Sequence, residues 1–482
     1  LNSASIIIPV SSLRDRAILM RIFIPLLAAL LLGLAVRPAR LAQNLSWARQ
    51  ASETNKPRSA AGLLSVAAEE NPWRTDLWEM AAADALAAGR AKDALTYLQS
   101  AAVLGELSKA AELTRGDALA QSGDQQDALR QWQQIADRYG PSAELYQRMA
   151  DAQRQLGDFP ALLKSLQSWR ELLPGDAKAL YQLGLVLAAT QPGQALPVLT
   201  QAVQFDPSLA PAVEQIRTAI NTGTASGNAA YTLLNSGRAL GNLDQWDLAA
   251  EAFRQAIQLQ PGYADAHAFL GEALQRLGQD GLPELQKALN LDPSSVLVQA
   301  LQAVYWMRNG KPEMALVYLH AAADQEPTNP AWQAQLGDAL VQMGDITGAL
   351  SYYQRATQIA PQNSVYWRLL ASFCVQYELN LSDVGLPAAR QAVALAPEDP
   401  DALDVMGQLL YLQGDNDNAL RFLQRAIKQD AQYAPAHLHL GLVYLQQGKM
   451  DLAYEEWSKA QSMAGEGPVG DQAQRLIKRY FP

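Results

Sequence analysis

A small residue returns at intervals of 34 positions along most of this chain, and no other feature constrains the fold as tightly. Ala48, Ala82, Gly116, Ala150 and Gly184 keep that phase, and after a break it resumes in Gly237 and Gly271, in Gly337, and in Gly407 and Gly441. A repeat of this length holds one supersecondary unit, which cannot bury its hydrophobic face alone and must stack on its neighbours. With 482 residues the chain also exceeds what a single core organises. Growth by stacking satisfies both constraints.

The clearest unit runs from Pro330 through Leu336-Gly337, Leu340, Gly344-Asp345, Ala349, Tyr353 and Ala356 to Pro361. It resembles the tetratricopeptide repeat. Each signature residue has a mechanical reason. Gly337 lets the two antiparallel helices of a hairpin approach closely, and Gly344 suits the left-handed turn that ends the first helix. Asp345 can cap the second helix, and Gly123-Asp124, Gly157-Asp158 and Gly414-Asp415 repeat the pairing. Pro160 and Pro312 open second helices, while Pro72, Pro174, Pro207, Pro261, Pro293, Pro327, Pro361 and Pro397 close them. Ala349, Tyr353 and Ala356, like Ala249, Phe253 and Ala256 or Ala453, Trp457 and Ala460, form the stripe by which the second helix packs.

Twelve units are expected, beginning near Leu41, Thr75, Lys109, Ala143, Ala177, Ala230, Ala264, Val296, Pro330, Ser364, Pro400 and Ala434. The resemblance therefore implies an all-α, right-handed superhelical α-solenoid. Two blocks are expected, 41–209 and 230–467, separated by an extra helix and a Gly/Ser/Thr-rich joint over 210–229. A shortened hairpin is expected at Gly278 to Pro283 and an insertion at Asn380 to Asp383, and residues 468–482 read as a capping helix that shields the last seam. Composition agrees: Ala, Leu and Gln dominate, and aromatics make up 7%, as helix propensity selects.

Before the repeats, Ile22 to Val36 carries no charge. Its ten Leu, Ile, Phe and Val side chains supply roughly -3 to -6 kcal/mol of insertion free energy, more than a peripheral Arg21 costs by snorkelling. Residues 17–36 are expected to form a single transmembrane anchor behind a disordered tail at 1–16, with Met20 as a candidate start. A cleaved signal peptide is the competing reading, although Arg40 spoils the cleavage site that would end at Ala42. Arg14, Arg16 and Arg21 on one side balance Arg37, Arg40 and Arg49 on the other, and an extracytoplasmic array at the cell membrane is the favoured orientation. With the anchor, the resemblance points to membrane-anchored, bacterial-type members of the family.

Stacked hairpins produce a groove lined by their first helices, which suits proteins or extended peptides better than small molecules. Counting positions from the start of each unit places Arg148, Asp151 and Arg154 on a polar groove in the first block, with Arg238 opening the second. The later units place Phe269, Leu297, Leu301, Val304, Met307 and Val341 there, followed by Val405, Tyr411, Leu438, Leu442 and Leu445. Apolar residues in such places suggest partner docking; the competing reading is that they bury against one another. The family's carboxylate clamp is absent, because its places hold Leu234, Arg238, Ala268 and Glu272. Its Asn ladder is missing as well, because Asn235 is followed by Phe269, Leu301, Gln335 and Leu369.

No enzyme is expected. Nucleophile elbow, Walker loop and strand-borne GxGxxG are all absent from the sequence. His267 and His437 fall at bulky core positions, and His437 and His439 are two residues apart, which on a helix points them to nearly opposite faces. Neither metal nor cofactor is expected. Cys374 is the one cysteine and falls at a core position. The net charge of -10 comes without long runs of one sign, which argues against nucleic acid. The reading is a membrane-tethered scaffold or assembly subunit of a membrane complex. The alternative is an accessory protein of envelope polysaccharide secretion, with Tyr181, Tyr231 and Tyr411 as its groove aromatics.

Overall fold

The computed structural model describes residues 39–481, in which every regular element is helical. The expected tail at 1–16 and anchor at 17–36 lie outside the described residues. Among the described residues no helix is long and apolar enough to cross a membrane.

Two compact units divide the chain between Ala225 and Ser226. In the first, five hairpins follow one another: α1 (39–53) with α2 (Pro57–Glu70), α3 (Thr75–Ala87) with α4 (Ala91–Leu104), α5 (Lys109–Gln121) with α6 (Gln125–Tyr139), α7 (Ala143–Leu156) with α8 (Phe159–Leu172), and α9 (Ala177–Thr190) with α10 (Pro192–Phe205). A 3-10 turn at Pro207–Leu209 leads to α11 (Ala210–Ala225), which packs on α10 through buried Val213, Ile216 and Ile220.

The second unit contains seven hairpins. They are α12 (Ala229–Asn242) with α13 (Trp246–Leu259), α14 (Ala264–Arg276) with α15 (Leu282–Leu291), α16 (Val296–Arg308) with α17 (Pro312–Gln325), α18 (Pro330–Met343) with α19 (Ile346–Ile359), α20 (Ser364–Gln376) with α21 (Leu386–Leu395), α22 (Pro400–Leu412) with α23 (Asn416–Gln429), and α24 (Ala434–Gln446) with α25 (Met450–Ala464). The last helix, α26 (Pro468–Tyr480), lies on α25 and α24. Its buried Ala473 joins a core with Leu438, Ala453, Trp457 and Ala460.

The 34-residue phase acts through one contact. A Cβ added to Gly116 would stand 2.3 Å from Trp132, one on Gly237 2.5 Å from Phe253, one on Gly337 3.0 Å from Tyr353, and one on Gly441 2.3 Å from Trp457. In each case the glycine is on the first helix and the ring, sixteen residues later, on the second. Where the first helix carries alanine instead, the residue at that offset is leucine: Ala82 shares a core with Leu98 and Ala303 with Leu319. In these hairpins notch and filler are matched in size, whereas three further glycines, Gly184, Gly271 and Gly407, face the leucines Leu199, Leu285 and Leu423. Burying such a filler contributes on the order of 1.5–3 kcal/mol, and Trp457 is fully buried.

The turns follow the expected chemistry with one exception. Gly157 (φ 70°) and Gly344 (φ 82°) end their helices in the left-handed region, and Asp158, Asp345 and Asp415 accept backbone N–H groups at 3.1, 2.8 and 3.3 Å. Asp124 makes no side-chain cap; the Ser122 hydroxyl donates to its carboxylate at 3.2 Å. In the shortened hairpin, a Cβ on Gly281 would lie 1.9 Å from the Gly271 carbonyl oxygen, so only glycine fits where the two helices crowd together. The insertion after Asn380 (φ 49°) becomes a π-turn over Leu381–Gly385.

Candidate partner-binding groove

First helices of neighbouring hairpins touch at places in both units, as in α3 with α5 and α14 with α16. In the first unit their outward face is polar and internally paired. Arg148 on α7 holds Asp117 of α5 through two bonds, Nε to Oδ1 at 2.6 Å and Nη2 to Oδ2 at 3.0 Å, and reaches Glu144 at 2.8 Å. Asp151, one turn further along α7, has its carboxyl raised by burial, with Lys178 and Arg154 pulling it back. These groups answer one another within the unit, leaving little reason to prefer a charged ligand.

A hollow of about 690 Å³ in the first unit opens between α1 and α3 over Leu64 and Leu77. It contains none of the candidate residues. Among its charges, Arg74 pairs with Asp76 at 2.6 Å and Asp84 accepts from the Ser52 hydroxyl at 3.2 Å.

The second unit separates the apolar candidates into two groups. Phe269, Leu297, Val304, Met307, Val341, Tyr411, Leu442 and Leu445 are partly exposed. Leu301 (9% exposed), Val405 (7%) and Leu438 (1%) belong to the core, which corrects their assignment to an open groove. Leu301 packs with Ala268, Leu285, Ala288 and Val298 in the seam between hairpins. Val405 joins the core of α18 to α24, with Val341 and Tyr411 against its edge. Leu438 is covered by Trp457 and the terminal helix, whose burial leaves it nothing to offer a partner. Val304 and Met307 fare differently. Together with Ala303, Leu319, Arg308, Gln335 and Asp338 they line an open hollow of about 190 Å³.

Arg238 stands at the start of this face, its guanidinium 5.2 Å above the Phe269 ring, which is stacked on Phe253 at 5.6 Å. Sequence positions had missed two neighbours, Trp246 on α13 and Arg276 at the end of α14. Both line a hollow of about 370 Å³ with Arg238. Counting positions on first helices cannot find Trp246, which comes from a second helix; Arg276 holds the same place in its unit as Arg308 in the next and was within reach of that count. Val365 and Leu369 on α20 are also exposed, at 42% and 37%.

The titratable groups form structural pairs. His267 Nδ1 lies 2.6 Å from Glu284, which also accepts from Lys287 at 2.7 Å. The last hairpin repeats this arrangement, with His437 Nδ1 2.5 Å from Glu456 and Lys459 2.9 Å from the same carboxylate. His439 turns the other way, to Asp404 at 2.7 Å. Among the described residues no group of three or more His, Cys, Asp or Glu could hold a metal ion. Cys374 is fully buried, and burial pushes its thiol up to about 11.

Comparison with known proteins returns the same repeat. Family models described as tetratricopeptide repeat match residues 234–296 and 307–373, and one described as TPR repeat matches 407–448. The chain is 24% identical over 374 residues to tetratricopeptide repeat protein 34 of Mus musculus, a match covering 70% of this chain and 66% of that relative's length. Yeast Tom70 superposes over 92% of this chain and 96% of its own, with a TM-score of 0.42 and 15% identity. YrrB, described as a TPR protein with an unusual peptide-binding site, superposes over 40% of this chain and 98% of its own, with a TM-score of 0.31 and 21% identity. The three matched stretches, all within the second unit, are similar to tetratricopeptide repeats.

Proposed function

We propose that this chain is a protein-interaction scaffold and that its second unit holds the partner. The observation that supports this is the face of α14, α16 and α18, where Phe269, Val304, Met307 and Val341 remain partly exposed around an open hollow. Tetratricopeptide repeats in the same stretch favour a protein or peptide as the occupant. The first unit, whose groove charges are paired internally, is read as a spacer and support.

The apolar segment at 17–36 supports a further proposal, that the scaffold is tethered to a membrane as part of a membrane complex, with the array on the extracytoplasmic side. The polysaccharide reading lacks a comparable observation. Tyr231 and Tyr411 stand on the non-neighbouring helices α12 and α22, so they do not form one stacking platform.

Affinity purification of the full chain from detergent-solubilised membranes, run beside a Val304→Glu, Met307→Glu variant, tests the scaffold reading. Specific proteins should accompany the parent chain and be lost from the variant. The same proteins in equal amounts with both would refute this use of the face.

A further inference from the structure

We propose that the second unit selects extended peptides that carry an acidic side chain about five or six residues from a bulky aliphatic one. This rests on the scaffold reading above and specifies its ligand.

The acid-binding end is the 370 Å³ hollow between α12, α13 and α14. Two guanidiniums line it, and each lies over an aromatic ring: Arg238 over Phe269 at 5.2 Å and Arg276 over Trp246 at 5.0 Å. Stacking occupies the face of a guanidinium and leaves its in-plane N–H groups pointing outward, the edge that takes a carboxylate. Among the described residues neither arginine forms an ion pair, although the chain carries a net charge of -10. The rings are held by the hairpin notch. Phe253 fills the notch at Gly237 and supports Phe269, and a Cβ on Gly241 would stand 2.8 Å from Trp246.

Two acids, Asp244 and Glu272, line the same hollow, and each has a partner of its own. Glu272 is 3.4 Å from Arg308, and Asp244 accepts the Trp246 indole N–H at 3.2 Å. Asp265 feels Arg238 only as a minor influence. Their presence still lowers the local positive potential, which favours a singly charged carboxylate over a phosphate group.

The Glu272–Arg308 pair separates this hollow from the next, because Glu272 lines the first and Arg308 the second. The second hollow is 190 Å³, floored by Ala303, Val304, Met307 and Leu319. That is below the roughly 300–1,000 Å³ of small-molecule sites, and its walls suit one aliphatic side chain. The two hollows lie two first-helix steps apart, roughly 16–20 Å at ordinary helix spacing. An extended chain covers that distance in about five or six residues.

Panning a random dodecapeptide library on the immobilised full chain tests the proposal, with fluorescence anisotropy on the selected peptides. Enriched peptides should pair Asp or Glu with Leu, Ile or Met at that spacing. An Arg238→Ala, Arg276→Ala variant should weaken binding at least tenfold, and added salt should weaken binding to the parent chain. Both arginines are exposed, so the double variant should melt with the parent. Should it melt early, an Arg238→Lys, Arg276→Lys variant, which keeps charge without the planar edge, should still weaken binding. Peptides without an acid that bind parent and double variant equally, yet are lost with Val304→Glu, would overturn the ligand assignment and leave the scaffold reading standing. Equal binding to all variants would overturn both. A phosphoserine version binding more tightly than the glutamate version would overturn the carboxylate assignment.

Discussion

Substituting Gly441 by alanine should destabilise the last hairpin, although alanine is the better helix former. Helix propensity alone favours the substitution by about 1 kcal/mol. Against this, the new methyl would stand 2.3 Å from Trp457 Nε1 and 2.5 Å from its Cδ1. The ring has nowhere to go, since it is fully buried and its indole N–H is bonded to the Leu438 carbonyl at 3.1 Å. Overpacking of this kind costs about 1–3 kcal/mol, and a contact this close argues for the upper end, leaving a net loss of about 2 kcal/mol. Gly62, inside α2, is the control: nothing lies within 4 Å of its Cβ position, and its backbone is outside the left-handed region. There alanine should stabilise by about 0.5–1 kcal/mol. Amide hydrogen exchange read by mass spectrometry separates the two. Exchange over α24 and α25 should rise about thirtyfold in Gly441→Ala, the equivalent of about 2 kcal/mol, and exchange over α2 should fall in Gly62→Ala. A Trp457→Leu background recreates the Ala82–Leu98 pairing, so there Gly441→Ala should become neutral or favourable. An equal cost in both backgrounds would refute the matched-notch argument.

Other perturbations probe separate parts of the account. Burial alone would raise the Glu456 carboxyl, but hydrogen bonds from His437 and Lys459 outweigh it and hold the group below its usual 4.5. A depressed folded value means that its stabilisation is present above about 4.5 and is lost as pH falls through the folded value. The stability gap between parent and Glu456→Gln, read by urea titration, should accordingly shrink on acidification below 4.5. Trp132 Nε1 finds no acceptor among the described residues, whereas Trp457 Nε1 has one. Trp132→Phe should therefore be the milder change by about 1 kcal/mol, measured as the difference in urea midpoints. Cys374 should resist a thiol reagent in the folded chain over a time in which the urea-unfolded chain reacts fully, since its thiol is buried and raised to about 11. Asp345→Ala removes a cap on Gly348 N–H and should cost about 1 kcal/mol in α19, visible as faster exchange in its first turn.

The beginnings of all twelve hairpins were legible because the notch residues and turn glycines are local signals. Thr75, Lys109, Val296, Pro330 and Ala434 begin helices where the repeat places them. Groove residues were less legible for a geometric reason. A first helix touches its own second helix and also first helices on either side, so the 3.6-residue period tells which residues face inward but not which flank a neighbour covers. Leu301, Val405 and Leu438 fell on the covered flank, while Val304 and Met307 fell on the open one. Asp124 shows the same limit at a turn, where the Gly-Asp pair was readable but the competing Ser122 hydroxyl decided the bond. The Arg238–Arg276 hollow was out of reach because its residues meet only when α12, α13 and α14 are packed together.

The central claim, that the face of α16 holds a partner, is tested most directly by placing a photo-crosslinking benzophenone amino acid at Val304. The same amino acid at Val317, which is 62% exposed on α17, serves as the comparison in the full chain expressed in its native cells. A discrete crosslinked protein from position 304 and none from 317 is the expected result. Equal crosslinking at both positions, or crosslinking from 317 alone, would contradict it.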